Sequence, residues 1–227
     1  VFLCVVMTAL GIYHYFILPT DGKHNDDKKS ASETLKELWD VLKEFVQKAH
    51  IIYYILFIII YRLAEGFVMK VVPLFLHDPV SQGGLGLSNE QIGTYYGTFG
   101  AAAFVVGSIL GGNVIARFGL KRVLFVLALI FNLPFLVYTF LAIYQPSSLW
   151  LIGGGIVIEY FGYGFGFVGL TMFMMHQIAP GKNQMSHYAI ASGIMNLSVM
   201  VTGMSSGKLT TLLGYEGFFL FVLIFII

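Results

Sequence analysis

The sequence predicts an all-α integral membrane protein, and composition, the length of the apolar segments and the placement of charge all support this. Of the 227 residues, 57% are hydrophobic and only 11% are charged. A soluble domain of this size has too little interior to bury so much apolar surface. The apolar segments are mostly ~20 residues or longer, as spanning helices require, and they lack the ~10-residue alternation of membrane β-strands.

Seven apolar segments follow one another along the chain. They cover residues 1–18, 51–76, 91–115, 122–144, 149–178, 188–211 and 217–227. The five inner segments are long enough to cross a hydrocarbon core of ~30 Å as helices. The two end segments are shorter, so we expect them to be partial spans of a chain truncated at both ends.

Basic residues alternate from loop to loop, which predicts the orientation of the spans. The loops after the first, third and fifth segments carry Lys23, Lys28, Lys29, Lys36, Lys43, Lys48, Arg117, Lys121, Arg122 and Lys182. The intervening loops contain no Lys or Arg. Because basic loops remain on the cytoplasmic side, we predict that the loop of residues 19–50 is cytoplasmic.

This first basic loop contains an amphipathic helix, predicted over residues 32–49. Its apolar face consists of Leu35, Leu38, Trp39, Leu42, Phe45, Val46 and Ala49. Ser30 and Glu33 have the spacing of a capping box at its start. We expect the helix to lie along the membrane surface or against the spans. The alternative is a soluble helix that docks on a partner protein.

The second segment carries charged residues near its middle. Arg62 and Glu65 each cost ~2.5–3.5 kcal/mol there unless they are paired or face water. Their i, i+3 spacing places them one turn apart on one face, with Tyr61 at i, i+4 from Glu65. Lys70 points about 140° away from Glu65 and is expected to reach the membrane boundary. The pair either locks helix packing or lines a pathway.

A second polar site lies in the fifth segment. Glu159 has no basic residue nearby in its own helix, which makes this carboxylate a candidate proton carrier. Tyr160 and Tyr163 can stack on a substrate or hydrogen-bond to it. Four glycines of the segment, including a G-x-x-x-G pair, predict close helix packing. In the sixth segment, Asn196 is expected to face a cavity or to bond a neighbouring helix.

Several function classes have no support in the sequence. It contains no P-loop, no H-E-x-x-H and no Cys/His cluster, so we expect no cofactor, no metal, no nucleic-acid partner and no enzymatic activity. The Gly-Tyr-Gly sequence at 162–164 lacks the Thr-Val lead-in of a potassium filter and follows a carboxylate in a long apolar segment. A channel is therefore disfavoured.

The turn after the third segment reads GNVIARFGLKR and resembles the loop motif G-x-x-x-D-R-x-G-R-R of the major facilitator superfamily. Gly112, Arg117 and Gly119 match the motif. Lys121 and Arg122 supply its two final basic residues, each one position later than in the motif. Ala116 replaces the acidic residue, as in the degenerate second copy of a C-terminal half. The resemblance implies a conformational role for a set of glycines and basic residues, namely Gly112, Arg117, Gly119, Lys121 and Arg122.

Within that superfamily the chain resembles the AmpG-type muropeptide permeases. The segments that carry the resemblance are YRLAEGF, EYFGYGFGFVGLTMFM and HYAIASGIMNLSVMVTGMSSGKLTTLLGYEGFF. It implies that residues 1–18 end transmembrane helix 6 and that residues 51–227 form helices 7–12 of a twelve-helix fold. The missing N-terminal half of the same chain would then be a partner, together with the lipid bilayer.

The resemblance also implies a function and a location. The family imports sugar–peptides derived from the cell wall across the bacterial inner membrane by symport with protons, as part of peptidoglycan recycling. A site near the midplane would use Tyr61, Arg62, Glu65, Tyr160, Tyr163 and Asn196 for the substrate. Glu65 and Glu159 would carry the proton. A transporter of another sugar, peptide or acetyl-CoA-like substrate, or a non-transporting membrane sensor, remains an alternative.

Overall fold

The structure, a computed structural model, describes residues 2–17 and 30–226, and within them every regular element is helical. Five helical stretches are long and apolar enough to cross a membrane: Ile51–His77, Asn89–Phe118, Leu120–Tyr144, Leu149–Ile178 and Gln184–Leu223. Each contains one of the five long segments found in the sequence, and the last also extends into the end segment that begins at residue 217. The prediction of an all-α membrane protein is therefore confirmed.

The α-helices are α1 (Phe2–Ile17), α2 (Ala31–Val46), α3 (Ile51–His77), α4 (Asn89–Ile92), α5 (Gly100–Phe118), α6 (Leu120–Asn132), α7 (Phe135–Tyr144), α8 (Leu149–Phe173) and α9 (Gln184–Leu223). A π-helical stretch, Gly93–Phe99, joins α4 to α5, and a second one, Met174–Ile178, extends α8. A short 3₁₀ turn, Val80–Gln82, follows α3.

The chain divides into two compact units, with the boundary between residues 39 and 40 inside α2. The first unit contains α1 and the start of α2. There the Ser30 N–H donates to Glu33 Oε2 at 2.9 Å, while the Ser30 hydroxyl contacts that of Ser32 at 3.1 Å. Only the Glu33 half of the expected capping box is therefore formed. The predicted end of the first apolar segment and residues 19–29 of the loop lie outside the described residues.

In the second unit, the end of α2 is tied to the loop that joins α8 to α9. Lys48 Nζ donates to the carbonyl oxygens of Ile178 at 2.6 Å and Pro180 at 2.7 Å. Asn183 Nδ2 donates to Glu44 Oε2 at 2.7 Å. Burial lowers the pKa of Lys48, and the charge of Glu44 opposes this shift. These contacts order the chain directly before α3 begins.

Helix α8 packs tightly between α5 and α6 because glycines remove the side chains that would hold the backbones apart. A Cβ on Gly164 would lie 2.1 Å from the Phe104 carbonyl oxygen of α5. On the opposite side, a Cβ on Gly162 or on Gly166 would lie 2.5 Å from a carbonyl oxygen of α6. The glycine spacing thus serves close helix approach, as the sequence indicated.

The predicted span over residues 122–144 is one membrane-length stretch, Leu120–Tyr144, that consists of two helices. Helix α6 ends at Asn132 and α7 begins at Phe135, with Leu133 and Pro134 between them. Proline has no N–H to donate, and its ring clashes with the carbonyl of the preceding turn, so the helical hydrogen-bond pattern is interrupted there. Leu133 and Pro134 nevertheless keep helical dihedral angles.

Helix α9 contains one non-helical residue, Gly214, with φ 67° and ψ 176°. The Phe67 carbonyl accepts a bond from Ser206 Oγ, before this residue, and the Phe67 ring stacks on Phe225, after it. The chain therefore turns back along α3 at Gly214, where glycine tolerates the positive φ. The loop expected near residues 212–216 is reduced to this tight turn.

Candidate functional site

Arg62 and Glu65 form an ion pair inside α3. Arg62 Nε lies 2.7 Å from Glu65 Oε2, and both side chains are only 6% exposed. The two atoms are in contact but poorly aligned, so neither has a hydrogen-bond partner among the described residues. The pair is therefore held by charge rather than by directional bonding, which leaves each group able to accept a better-aligned partner.

Helix α8 supplies aromatic partners to this pair. The Arg62 guanidinium carbon lies 5.2 Å from the centre of the Phe167 ring, within cation–π range. Tyr163 interacts with both charged side chains. Its ring centre is 5.7 Å from that of Phe167, one turn further along α8. The ion pair thus meets α8 through aromatic faces and one hydroxyl.

Glu159, also in α8, has a different partner. The Tyr138 hydroxyl of α7 donates to Glu159 Oε2 at 3.0 Å. The Tyr138 ring stacks on Phe219, with centres 5.7 Å apart, and both rings are fully buried. Glu159 is 8% exposed and lies close enough to Glu65 for their charges to interact. The two carboxylates belong to one polar region.

Half-buried tyrosines border this region. The rings of Tyr160 and Tyr96 meet edge to face at 4.9 Å, and Tyr160 lies 6.4 Å from Tyr163. A Cβ on Gly100 would lie 3.1 Å from the Tyr160 ring, so this glycine makes room for it. The exposed parts of these rings provide stacking faces and hydroxyls next to the buried charges.

Two of the predicted substrate residues, Tyr61 and Asn196, do not lie with the half-buried tyrosines around the charged pair. Tyr61 is buried, and its hydroxyl donates to the Gly166 carbonyl oxygen at 2.7 Å, so it joins α3 to α8. Asn196 is exposed on α9. It points about 160° away from Ser198, whose hydroxyl contacts the Ile59 carbonyl oxygen of α3 at 3.5 Å. The structure does not bring Asn196 to the other predicted residues.

The residues of the predicted conformational motif lie at the turn between α5 and α6. Gly119 has φ 80° and ψ 139°, and its N–H donates to the Ile115 carbonyl oxygen at 2.9 Å. Glycine is required there because the turn needs a positive φ. Arg117, Lys121 and Arg122 are exposed on either side of the turn, and Gly112 is half-buried in α5.

Three site residues were not identified from the sequence: Tyr96, Tyr138 and Phe167. Phe167 and Tyr96 carry no sequence signal that separates them from other aromatic residues of the spans. Tyr138 does carry one, because a hydroxyl inside an apolar segment needs a buried partner. The sequence therefore predicts that the Tyr138 hydroxyl forms a hydrogen bond but does not identify the acceptor.

Five membrane-length helical stretches with charged and tyrosine side chains in their interior define a polytopic membrane protein within the described residues. The sequence profile of the Major Facilitator Superfamily matches residues 54–227, well over half of the chain. The chain therefore belongs to this superfamily.

Curated relatives match between 79% and 99% of the chain at low identity. A predicted transporter of Rickettsia conorii, AmpG 1, is 24% identical over 99% of this chain and 53% of its own length. The corresponding protein of Rickettsia bellii is 25% identical over 95% of this chain and 53% of its own length. The anhydromuropeptide permease of Escherichia coli K12 is 24% identical over 79% of this chain and 35% of its own length. The chain thus spans about half the length of the first two.

Proposed function

We propose that this chain is part of a secondary transporter that imports a sugar–peptide of the muropeptide class together with protons. The observation that carries the proposal is the burial of two carboxylates, Glu65 with Arg62 beside it and Glu159 without a cation beside it, within the described part of the helical bundle. Ionisable groups at such a depth are costly and are typical of solute and proton pathways. The name of the Escherichia coli relative supports the substrate class.

In this proposal, Arg62 exchanges partners during transport. Its contact with Glu65 is close but poorly aligned, so a substrate carboxylate that binds the guanidinium in a bidentate manner competes well. Protonation of Glu65 removes the competing charge and frees Arg62. Proton binding and substrate binding then favour each other, which is the basis of symport.

The remaining predicted residues take supporting roles. Tyr160 and Tyr163 offer stacking faces to sugar rings, and Tyr61 keeps α3 against α8 beside them. Glu159 is the second proton carrier and is held by Tyr138. Asn196, exposed on α9, is a contact for the substrate from outside this cluster.

We further propose that the chain is the C-terminal half of a twelve-helix carrier in a bacterial inner membrane. Residues 51–227 would form one of two six-helix bundles, with residues 1–18 ending the other and the loop between them cytoplasmic. The two halves would alternate access to a site at their interface. The turn with Gly119, Arg117 and Lys121 would then regulate closure at the cytoplasmic side.

Uptake into vesicles that contain the complete protein tests this function. A proton gradient should drive accumulation of muropeptides but not of simple sugars or unmodified peptides. Glu65→Gln and Glu159→Gln should abolish gradient-driven accumulation, whereas Glu90→Gln, at an exposed carboxylate, should not. Unchanged proton-dependent uptake in both buried variants would contradict the proposal. Accumulation of a different solute would retain a transporter and reject the substrate.

A further inference from the structure

A cavity of about 330 Å³ lies between α3 and α6. It is lined by Phe57, Ile60, Tyr61, Lys121, Leu124, Phe125, Ala128 and Asn132. Neither Arg62 nor Glu65 belongs to this lining, so the cavity is separate from the buried ion pair. The Tyr61 hydroxyl donates to the Gly166 carbonyl oxygen, so the polar groups left in the wall are those at the two ends of the α6 face.

At the inner end, Asn132 presents an unused acceptor. The side chain is only 3% exposed, and its Nδ2 donates to the Ala128 carbonyl oxygen at 3.0 Å. Its Oδ1 has no hydrogen-bond partner among the described residues. Because only the amide nitrogen can donate to a carbonyl, the free atom is the oxygen. This oxygen is not exposed in the cavity wall, so an occupant that carries a donor satisfies it after the Asn132 side chain turns towards the cavity.

At the other end, Lys121 presents a cation. It precedes Asn132 by eleven residues, which is about 16 Å along the helix and within about 20° of the same face. Lys121 is exposed at the start of α6, next to the turn at Gly119. The α6 face therefore presents a cation, then an apolar stripe, then a hydrogen-bond acceptor.

The entrance of the cavity is apolar. Ile60 is 42% exposed and Phe125 is 67% exposed, and both belong to stretches that can cross a membrane. Apolar side chains exposed on such stretches favour hydrocarbon over water, so an apolar chain is the occupant that this entrance fits. A volume of 330 Å³ is at the small end for ligand pockets and suits one acyl chain rather than two.

We propose that this cavity binds a single-chain anionic amphiphile of the fatty-acid class. The carboxylate lies at Lys121, the chain follows the apolar stripe, and a mid-chain hydroxyl donates to Asn132 Oδ1. A hydroxylated chain is therefore preferred over the same chain without the hydroxyl. The site does not depend on the proposed transport of sugar–peptides.

Equilibrium binding of labelled oleate and ricinoleate to the complete protein in phosphatidylcholine nanodiscs tests this site, because the two fatty acids differ by one mid-chain hydroxyl. The protein should bind ricinoleate about 3- to 10-fold more tightly, the ratio of a typical net hydrogen bond. Asn132→Leu should remove this preference and retain oleate binding. Lys121→Gln should weaken the binding of both by about 10-fold, as expected for loss of a charge-assisted bond.

Matched controls lie on the same chain. Asn113→Leu and Lys182→Gln change the same residue types at exposed positions and should leave both affinities unchanged. Ala128→Phe fills the cavity and should abolish binding of both fatty acids even if Asn132→Leu does not fold. The proposal would be overturned if the protein bound neither fatty acid saturably or bound both with equal affinity. It would also be overturned if the control variants weakened binding as much as the cavity variants, or if phosphatidylglycerol competed as strongly as the fatty acids.

Discussion

The two buried carboxylates of this bundle are held in different ways. Glu65 has a cation, Arg62, one turn away on the same helix, with Nε and Oε2 2.7 Å apart. Glu159 has a neutral donor, the Tyr138 hydroxyl, which reaches it at 3.0 Å from a different helix. A contact within one helix moves with that helix, whereas a contact between α7 and α8 depends on their separation. We therefore expect Glu65 to respond to charge and Glu159 to respond to helix movement.

The largest expected effect comes from removing the cation. Arg62→Gln leaves Glu65 buried without a charged partner, and such a loss destabilises a protein by about 3–5 kcal/mol. The free energy of unfolding of the complete protein in detergent should fall by this amount. Arg117→Gln, at an exposed position of α5, is the matched control and should change it by less than about 0.5 kcal/mol.

The double variant sharpens this prediction. Arg62→Gln with Glu65→Gln removes both charges and leaves two amides that can bond each other, so part of the stability should return. If the double variant is less stable than Arg62→Gln alone, the pair is not the unit that the structure shows.

A smaller effect, reaching both carboxylates together, is expected from the packing of α8. Gly164→Ala places a Cβ 2.1 Å from the Phe104 carbonyl oxygen, so α8 must move away from α5. Overpacking of this kind costs about 1–3 kcal/mol. Because α8 carries both Glu159 and Tyr163, the shift should disturb both polar contacts, and thermal unfolding of the complete protein measures the cost.

Gly154→Ala provides the control on the same helix. Apart from the helix's own backbone and the adjacent residues, no atom of the described part of the chain lies within 4 Å of a Cβ at Gly154. Alanine there should keep or raise stability by up to about 1 kcal/mol, since glycine is the weaker helix former. Equal losses in the two variants would show that helix propensity, not packing against α5, determines the result.

The same contrast explains which parts of the site the sequence predicts. The pairing of Arg62 with Glu65 follows from their spacing, because i, i+3 places two side chains on one face of any helix. The bond from Tyr138 to Glu159 joins residues 21 positions apart on two helices, and no local spacing indicates it. The interruption at Leu133 and Pro134, shortly before Tyr138, is also not visible in the apolar pattern of residues 122–144. Hydrophobic periodicity locates the spans but not the breaks within them.

The turn at Gly214 shows the opposite case. Its existence was predicted, because the apolar pattern pauses near residues 212–216, but its length was not. A single positive φ reverses the chain. Side-chain identity alone does not distinguish such a turn from a loop of several residues, since glycine is compatible with both.

The smallest effect, and the most informative about Glu159, is expected from Tyr138→Phe. The change removes one hydroxyl and keeps the ring that stacks on Phe219. A single hydrogen bond contributes a net ~0.5–1.5 kcal/mol, and ~1.5–3 kcal/mol when one partner is charged. No cation lies beside Glu159 among the described residues, so we use the range for two neutral partners. We therefore expect Tyr138→Phe to lower the free energy of unfolding by about 1 kcal/mol.

A double-mutant cycle with Glu159→Gln isolates this bond. Glutamine keeps an acceptor oxygen for the Tyr138 hydroxyl. If Glu159 is held as a neutral group, Tyr138→Phe should therefore lower the free energy of unfolding by about the same amount in the Glu159→Gln background as in the wild type. A cost that falls by half or more in that background would show that Tyr138 stabilises a carboxylate charge. The two carboxylates would then both be charged and would differ only in whether the partner lies on the same helix or on another. The contrast between a Glu65 that responds to charge and a Glu159 that responds to helix movement would be wrong.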